Sequence, residues 1–400
     1  MDLLSGTPFW PTRNGLIASY PPLARPERCE VAVIGGGVTG ACIARELAVA
    51  GHDVVVLDAR DIGMGSTAGS TSLLQYDLDT PLAALAARIG EEPAARAFRL
   101  CADAVERIGR LAAQLPDPCG FRRSECLYGA SSARDVPGFR AEYALRRRHG
   151  LAVQYWDRAR VAASGTLPFH AALVSRPAAE IDAHRFTHAL LRAAVRRGAR
   201  VYDRTLVRRC RPTRTGVALT TDRGVAVRAR WVVIAAGYEA ASFLRLRGVR
   251  LHSTYALVSE PLAAWPGWPG RRMIWESARP YFYLRRTGDH RMMIGGGDEP
   301  FVDPRRRDEL LPEKVGLLRR RFHRWFPRIP LEPAYAWAGT FAESKDGLPF
   351  IGPRPGFPRT LFALAYGGNG VTFAAVAAGL IRDFCAGKAS ADAALFRLDR

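Results

Sequence analysis

Lysine is almost missing from this chain. Of its 58 basic residues only Lys314, Lys345 and Lys388 are lysines, and the other 55 are arginines scattered along the whole length. A formal charge of +20 raises nucleic acid or an anionic membrane as a partner, because clustered cations release counterions from phosphate. These cations are not clustered. The densest groups are Arg305-Arg306-Arg307 and Arg319-Arg320-Arg321, no RNA-binding signature accompanies them, and they read as solvated faces, so nucleic acid is not the expected partner. Paired cysteines are missing too: Cys29, Cys42, Cys101, Cys119, Cys126, Cys210 and Cys385 form an odd, scattered set without a C-x-x-C, which fits a reducing compartment. Long apolar runs are absent as well. Leu361–Ile381 is broken by Gly367, Gly368, Asn369 and Gly370, and Met1-Asp2-Leu3-Leu4 lacks the basic region and apolar run of a secretory signal, so a cytoplasmic protein with no transmembrane segment is expected. With 48% apolar and 24% charged residues in 400, the chain is globular and long enough for two packed domains of interleaved sequence.

What is present comes in blocks. Residues 1–27, rich in Pro, Trp and Arg and without periodicity, read as an extended arm wrapped over the first domain. Cys29–Gly35 (CEVAVIG) is a β-branched run; a glycine turn, a helix over Thr39–Ala50 and a strand over His52–Asp58 (HDVVVLD) follow, which makes a βαβ unit. Residues 81–115 have helical spacing, whereas Phe121–Ala130 and Leu151–Trp156 look like strands of another layer. Asp182 caps a helix predicted to Arg197, then come a strand at Arg200–Asp203, a hairpin around Thr220–Gly224 and a buried strand at Trp231–Ala235. Aromatic-bearing strands from Arg250 to Pro333 predict a separate antiparallel sheet. Thr360–Ala365 is a strand, Tyr366–Gly370 a glycine loop and Val371–Cys385 a small-residue helix, and there is no internal repeat.

Gly35, Gly37 and Gly40 fit G-x-G-x-x-G directly after a strand and at the opening of a helix. The first glycine permits the tight turn, the second lets backbone approach a pyrophosphate, and the third lets helix and strand pack closely. Val38 and Thr39 open that helix, and Asp58, followed by Ala59, closes the second strand 18 residues beyond Gly40, where a carboxylate can accept hydrogen bonds from ribose hydroxyls. These residues predict a dinucleotide site but leave FAD or NAD open. The run Gly63–Leu74 (GMGSTAGSTSLL) is suited to wrapping a long cofactor, and Gly237 ends a further strand near the adenosine end. Gly367, Gly368, Asn369, Gly370 and Val371 sit at the N-terminus of the last helix, where N–H groups and the helix dipole can stabilise negative charge on a reduced flavin.

With VAVIGGGVTG at 31–40, IGMGST at 62–67, EIDAHRF at 180–186, WVVIAAG at 231–237, KDGLPFIG at 345–352 and AYGGNGVTF at 365–373, the chain resembles the D-amino-acid oxidase superfamily, in particular its glycine oxidase, sarcosine oxidase and γ-glutamylputrescine oxidase branch. The resemblance runs from about residue 28 to 386. It implies an α/β fold: a Rossmann-type FAD-binding domain from residues 28–80, 175–245 and 335–400, interleaved with an α+β substrate domain from 81–174 and 246–334 on a mostly antiparallel sheet. By the same likeness Ser66, Thr67, Thr71, Ser72, Leu73 and Val207 line the cofactor.

The activity so implied is oxidation of the C–N bond of a small amine or amino acid, by hydride transfer to flavin N5 and hydrolysis of the imine. Tyr281, Tyr283 and Arg285 in PYFYLRR share one strand face by alternation and are the candidate substrate-side residues. Glycine oxidase-like proteins place a carboxylate-pairing arginine where this chain has Phe341. Sarcosine oxidase-like proteins carry a lysine above the flavin where alignment sets Met293, which leaves the acceptor open between oxygen and another carrier. Their covalent cysteine is missing from 335–345, which implies FAD held non-covalently. Glu343, Lys345 and Asp346 form a polar loop expected beside the flavin. His184 and His188, four apart without a third ligand nearby, read as surface-helix positions rather than a metal site. Two other classes remain open: a flavin-binding subunit or RNA-associated flavoprotein without turnover of its own, motivated by the charge, and a nicotinamide-dependent dehydrogenase. Oligomeric state is not indicated.

Overall fold

The computed structural model describes residues 3–244, 246, 248–364 and 366–400. Met1, Asp2, Arg245, Arg247 and Ala365 lie outside the described residues, so the strand expected over Thr360–Ala365 is followed to Leu364 and the glycine-loop motif from Tyr366.

Branched residues build the first sheet. Val54–Leu57 is buried at all four positions and Glu27–Ile34 over its last four, the pattern of strands covered on both faces. Its strands run in the order Phe350–Pro353, Thr360–Leu364, Ala226–Ile234, Glu27–Ile34, Val54–Leu57, Arg200–Tyr202, all parallel except the first. The hairpin Val207–Pro212 and Val217–Thr221 extends it antiparallel from Ala226–Ile234. Because successive side chains alternate, Val31, Val33, Val54 and Val56 face one core and Ala32, Ile34, Val55 and Leu57 the other. The first core is closed by the helices Val38–Val49, Ala183–Val195 and Gly370–Cys385, with Glu91–Gln114 packed on the last. Asp182 caps Ala183–Val195 as expected, its side chain accepting from Arg185 N at 2.9 Å.

The second sheet has ten strands among the described residues. Its path is Leu4–Gly6, Pro333–Ser344, Val249–Ser259, Met292–Pro300, Phe282–Arg286, Met273–Glu276, Arg122–Gly129, Ala171–Glu180 and Leu73–Gln75, with Ala152–Asp157 paired to Ala171–Glu180. Only Met273–Glu276 with Arg122–Gly129 is parallel. Leu73–Gln75, Ala171–Glu180 and Pro333–Ser344 therefore connect stretches of the first layer directly to the second.

Two expectations change. The arm is not extended throughout: Leu4–Gly6 is a strand on Pro333–Ser344, and Phe9–Asn14 is a helix whose Phe9 and Trp10 are buried among Val258, Met293 and Trp337 of the second sheet. Burying two large aromatics is worth roughly 1.5–3 kcal/mol each, enough to fix a short helix that propensity alone would not. The arginine runs are not simply solvated either. They sit on the helices Pro304–Glu309 and Leu311–Trp325, where Leu318, Phe322 and Trp325 recur at helical spacing and pack on Tyr255, Leu257 and Ile294. Arg307 is buried, donating to Asp308 at 2.8 Å and to Thr340 Oγ1 at 3.1 Å. No helix among the described residues is long and apolar enough to cross a membrane, and all seven cysteines are free.

Candidate active site

One cavity of about 830 Å³ lies between the sheets, within the range typical of small-molecule and cofactor sites. It opens at the carboxyl ends of the parallel strands, where Ile34, Leu57, Ala235 and Leu364 line it, the crevice in which doubly wound sheets hold ligands.

The glycine turn forms one end. Gly35 has φ of +109° and a Cβ there would stand 2.3 Å from the Ala235 carbonyl oxygen; a Cβ on Gly40 would stand 1.8 Å from that of Gly35. Gly35, Gly37, Val38 and Thr39 line the cavity but Gly40 does not; it serves helix–strand packing instead of contact. The Val38–Val49 helix starts at Gly37 without a side-chain cap on its first residue, and Thr67 Oγ1 accepts from Val38 N at 3.0 Å. Asp58 is fixed by two backbone donors, Gly36 N at 2.6 Å and Arg60 N at 2.8 Å. Burial pushes its carboxyl up, against the lowering effect of those N–H groups. Ala59, Val207 and Gly237 (φ +55°) complete this end.

Ser66, Thr67, Thr71, Ser72 and Leu73 run along the middle of the cavity wall. The Ser66 hydroxyl is buried there without a hydrogen-bond partner; a buried polar atom left so is costly unless a ligand satisfies it. Further along, Gly367, Gly368, Asn369, Gly370 and Val371 line the cavity at the start of the Gly370–Cys385 helix, which has no side-chain cap. Two helix starts whose N-cap residues, Gly37 and Asn369, give no side-chain cap thus turn partial positive charge toward one space, although Thr67 takes the Val38 N–H and Asp79 that of Gly368. The Asn369 amide is turned away, donating to the carbonyls of Asp77 at 2.8 Å and Gln75 at 3.3 Å.

The second sheet closes the far end with Thr254, Trp275, Tyr281, Tyr283, Asp298 and Phe341, joined by Asp79. Tyr281 donates to Asp79 Oδ1 at 3.0 Å, and Gly368 N donates to the same carboxylate at 3.0 Å. Tyr283 lies over Gly295, where a Cβ would come within 2.3 Å of its hydroxyl. Register explains Asp298: between the pairs Ser253 with Glu299 and Tyr255 with Gly296, Thr254 faces both Gly297 and Asp298. That extra residue is a β-bulge, and bulges re-aim side chains; Gly296 (φ +130°) and Gly297 (φ +69°) supply the backbone it needs. Burial raises the carboxyls of both acids, Asp298 to about 6, and raises the Tyr281 and Tyr283 phenols, which stay protonated at neutral pH.

Other expected residues fall elsewhere. Arg285 follows Tyr281 and Tyr283 on the same face but lies past the end of the cavity: it is buried, paired with Glu180 at 3.3 Å, donating to the Thr71 carbonyl at 2.6 Å and lying 5.3 Å from the Trp10 ring centroid. Thr71 is thereby held by it, but a substrate cannot reach it. Met293 packs against Phe9, Trp10 and Trp337 and does not line the cavity. Glu343, Lys345 and Asp346 also lie off it, Asp346 being held by Arg400 at 2.7 Å and Glu343 by His252 at 3.5 Å. His184 and His188 are buried, not on a surface, with the His184 ring against Gly63; burial lowers His188 to about 4, so both are neutral packing groups, and no metal-holding cluster occurs among the described residues. Asp79, Thr254, Trp275 and Asp298 are the site residues that sequence reasoning missed. The triple glycine before Asp298 was the available signal, since glycine inside a strand marks a bulge or a close approach.

A cavity at the switch of a parallel sheet, bounded by a glycine turn, a ribose-type acid and a second helix N-terminus, defines an α/β enzyme that uses a dinucleotide cofactor. The sequence matches the family described as FAD dependent oxidoreductase, the DAO family, over residues 30–384, and the chain belongs to it. It is 26% identical over 391 residues to a glycine oxidase of Geobacillus kaustophilus, covering 93% of this chain and 97% of that protein. It is also 26% identical over 383 residues to the gamma-glutamylputrescine oxidoreductase of Escherichia coli, covering 90% and 84% respectively. The fold matches the crystal structures of glycine oxidase from Geobacillus kaustophilus (TM-score 0.74, 23% identity, 94% of this chain and 99% of that one) and of L-proline dehydrogenase from P. horikoshii (TM-score 0.77, 19% identity, 93% and 97%). FAD is therefore the cofactor of this enzyme, and the nicotinamide reading is set aside.

Proposed function

We propose that this enzyme oxidises the C–N bond of a small amine or amino acid with FAD held non-covalently. The observation that carries the reading is the single cavity in which a glycine turn and two helix N-termini meet an aromatic and acidic wall. Gly35, Gly37, Val38, Thr39, Asp58 and Ala59 hold the ADP half, with the unpartnered Ser66 hydroxyl and Thr67 beside the pyrophosphate. Thr71, Ser72, Leu73, Val207 and Gly237 flank the cofactor, and Gly367–Val371 receive the negative charge of its reduced form. Gly40 and Arg285 act behind these residues, by packing and by holding the Thr71 carbonyl. No cysteine or histidine lines the cavity among the described residues, which supports non-covalent binding.

When bound, FAD would supply the two-electron acceptor for the hydride that leaves the carbon beside nitrogen, with N5 as the receiving atom, and the C=N bond formed from the nitrogen lone pair would be hydrolysed to carbonyl and amine. The chain's part is orientation and exclusion of water. Tyr281 and Tyr283 wall the reacting end as neutral phenols, and Asp79 fixes Tyr281 against Gly368. The segments 28–80, 175–245 and 335–400 are proposed as the FAD domain and 81–174 with 246–334 as the substrate domain, with Leu73–Gln75 and residues 175–180 and 335–344 of the first set lying in the second sheet and Glu91–Gln114 of the second set on the first core. The free thiols support a cytoplasmic location. The electron acceptor is oxygen or another carrier.

The test is anaerobic mixing of the purified protein with amines, N-methyl amino acids and amino acids. Bleaching of the flavin band by at least one of them is expected, with formation of a carbonyl product. Retained FAD that no member of the panel bleaches contradicts the reading.

A further inference from the structure

We propose that the far end of the cavity is an anionic subsite for an amine that carries no carboxylate, with Asp298 and Asp79 recognising its ammonium group. This rests on the function proposed above and narrows its substrate class from amines and amino acids to cationic amines.

Charge placement carries the inference. The basic residues lining the cavity among the described residues are Arg60 and Arg208. Arg60 follows Asp58 and is engaged with both oxygens of Glu239, at 2.6 and 2.8 Å; Arg208 follows Val207. Both belong to the glycine-turn end. The wall made by Trp275, Tyr281, Tyr283, Thr254 and Phe341 has two carboxylates and no cation. Arg279 stacks on Tyr281 at 4.9 Å, but it is exposed and donates to the Asp79 carbonyl from outside. A substrate carboxylate here would meet two half-buried acids and no guanidinium to pair with.

The second, independent observation is that Asp298 is built into the site with one carboxyl oxygen left unsatisfied, while Thr254 acts on the carboxyl as a hydrogen-bond partner. The bulge at Gly297–Asp298 turns it toward Thr254 and the cavity, and its Oδ1 is buried with no hydrogen-bond partner. The basic side chains that act on it are engaged elsewhere: Lys314 Nζ is 2.6 Å from Glu299, and the His252 ring is 3.5 Å from Glu343. A buried carboxyl in that position lacks a donor with positive charge, which an ammonium supplies. Aromatic faces complete the match. Trp275 and Tyr281 have ring centroids 5.8 Å apart in an edge arrangement, Tyr281 and Tyr283 5.9 Å apart, and such faces attract alkylammonium groups while rejecting anions. Burial has raised both carboxyls; a cation that enters favours their ionised form, and it is held best at a pH where the proton has already left.

The experiment uses the holoenzyme and reads binding separately from oxidation. Perturbation of the oxidised flavin spectrum is titrated with benzamidine, a cation with N–H donors and no C–H beside nitrogen to lose as hydride, and with phenylacetate, of similar size and opposite charge. The cation is expected to bind at least tenfold tighter at neutral pH, and Asp298→Asn to remove most of that preference while FAD content stays at the wild-type level. Equal affinities, a preference for phenylacetate, or no binding of either overturns the subsite, whether or not the variant folds. Matched pairs that differ by one carboxylate then report on oxidation: methylamine with glycine, butylamine with norvaline, phenethylamine with phenylalanine. Faster anaerobic bleaching by the amine of a pair is expected. Faster bleaching by the amino acid overturns the subsite and leaves the proposed activity standing; selective cation binding without any bleaching supports the subsite and removes the activity.

Discussion

The two ends of the cavity are built by opposite means. At the glycine turn the contacts are mostly backbone: N–H groups at a helix start, glycines whose missing Cβ makes room, and one acid fixed by its own neighbours Gly36 and Arg60. At the far end the contacts are side chains brought from the segments around Asp79, Thr254, Trp275, Tyr281 and Asp298. A backbone-built site tolerates almost no change in its glycines, since the chain path itself is the ligand-binding element. A side-chain-built site can change its specificity one residue at a time. On the proposed reading the glycine-turn end holds the cofactor common to the family, and the far end sets what this member acts on.

The sharpest break in that contrast is Gly40→Val. Its Cβ would fall 1.8 Å from the Gly35 carbonyl oxygen, a backbone clash that costs at least ~1–3 kcal/mol through overpacking; the expected outcome is protein without flavin, read from the ratio of visible to ultraviolet absorbance. Next comes Arg285→Met. It leaves Glu180 buried with only Arg271 at 2.8 Å and Arg122 at 4.0 Å, and breaking a buried pair destabilises by about 3 kcal/mol, seen as a lowered unfolding midpoint. Tyr281→Phe removes the hydroxyl that donates to Asp79. Losing one such bond is worth roughly 1.5–3 kcal/mol when the partner is charged, so flavin bleaching by amine should slow at least tenfold while FAD content holds. Ser66→Ala is the mirror case at the other end: FAD affinity should weaken about fivefold, from roughly 1 kcal/mol of hydrogen bond, with bleaching by saturating amine unchanged.

Acidity sharpens the same contrast. Asp298 sits at about 6 because it is buried, with Asp79 pushing it further up and Thr254, His252 and Lys314 pulling it down. Cation binding should strengthen as pH rises through 6, because the carboxyl ionises there, and Asp298→Asn should flatten that profile. Stability moves the other way. Between the ordinary 3.8 and about 6 the folded protein keeps a proton that the unfolded chain has released, so this carboxyl's contribution falls as pH climbs through that window. Chemical denaturation at pH 4 and pH 7, with and without the substitution, measures the difference.

Legibility in the sequence follows the same division. Gly35, Gly37, Gly40 and Asp58 could be read because a dinucleotide bound by local backbone demands fixed spacings between strand, turn and helix. Tyr281 and Tyr283 were legible through strand alternation, but alternation does not say where a cavity ends, and Arg285 on the same face lies beyond it. Asp79 left no sign in the sequence, and Asp298 only the three glycines before it. They meet only through tertiary pairing, and Asp298 faces the cavity because a bulge shifts it by one residue, a detail that period-2 reasoning misassigns. The Leu311–Trp325 helix was hidden by its arginines, which mask the buried spacing of Leu318, Phe322 and Trp325. Met293 shows the hazard of placing a single residue by alignment: the arm's Phe9 and Trp10, whose docking no local pattern announced, occupy the space beside it.

The most direct measurement is the electron density of FAD in crystals of the purified protein. The predicted result has the ribose hydroxyls on Asp58, the pyrophosphate against the amides of Gly37 to Thr39, and the ring system between Gly367–Val371 and the Tyr281–Tyr283 wall. A flavin ring lying at Asp58 with adenine against the tyrosines, or a cavity closed by side chains with no room for the dinucleotide, contradicts the account.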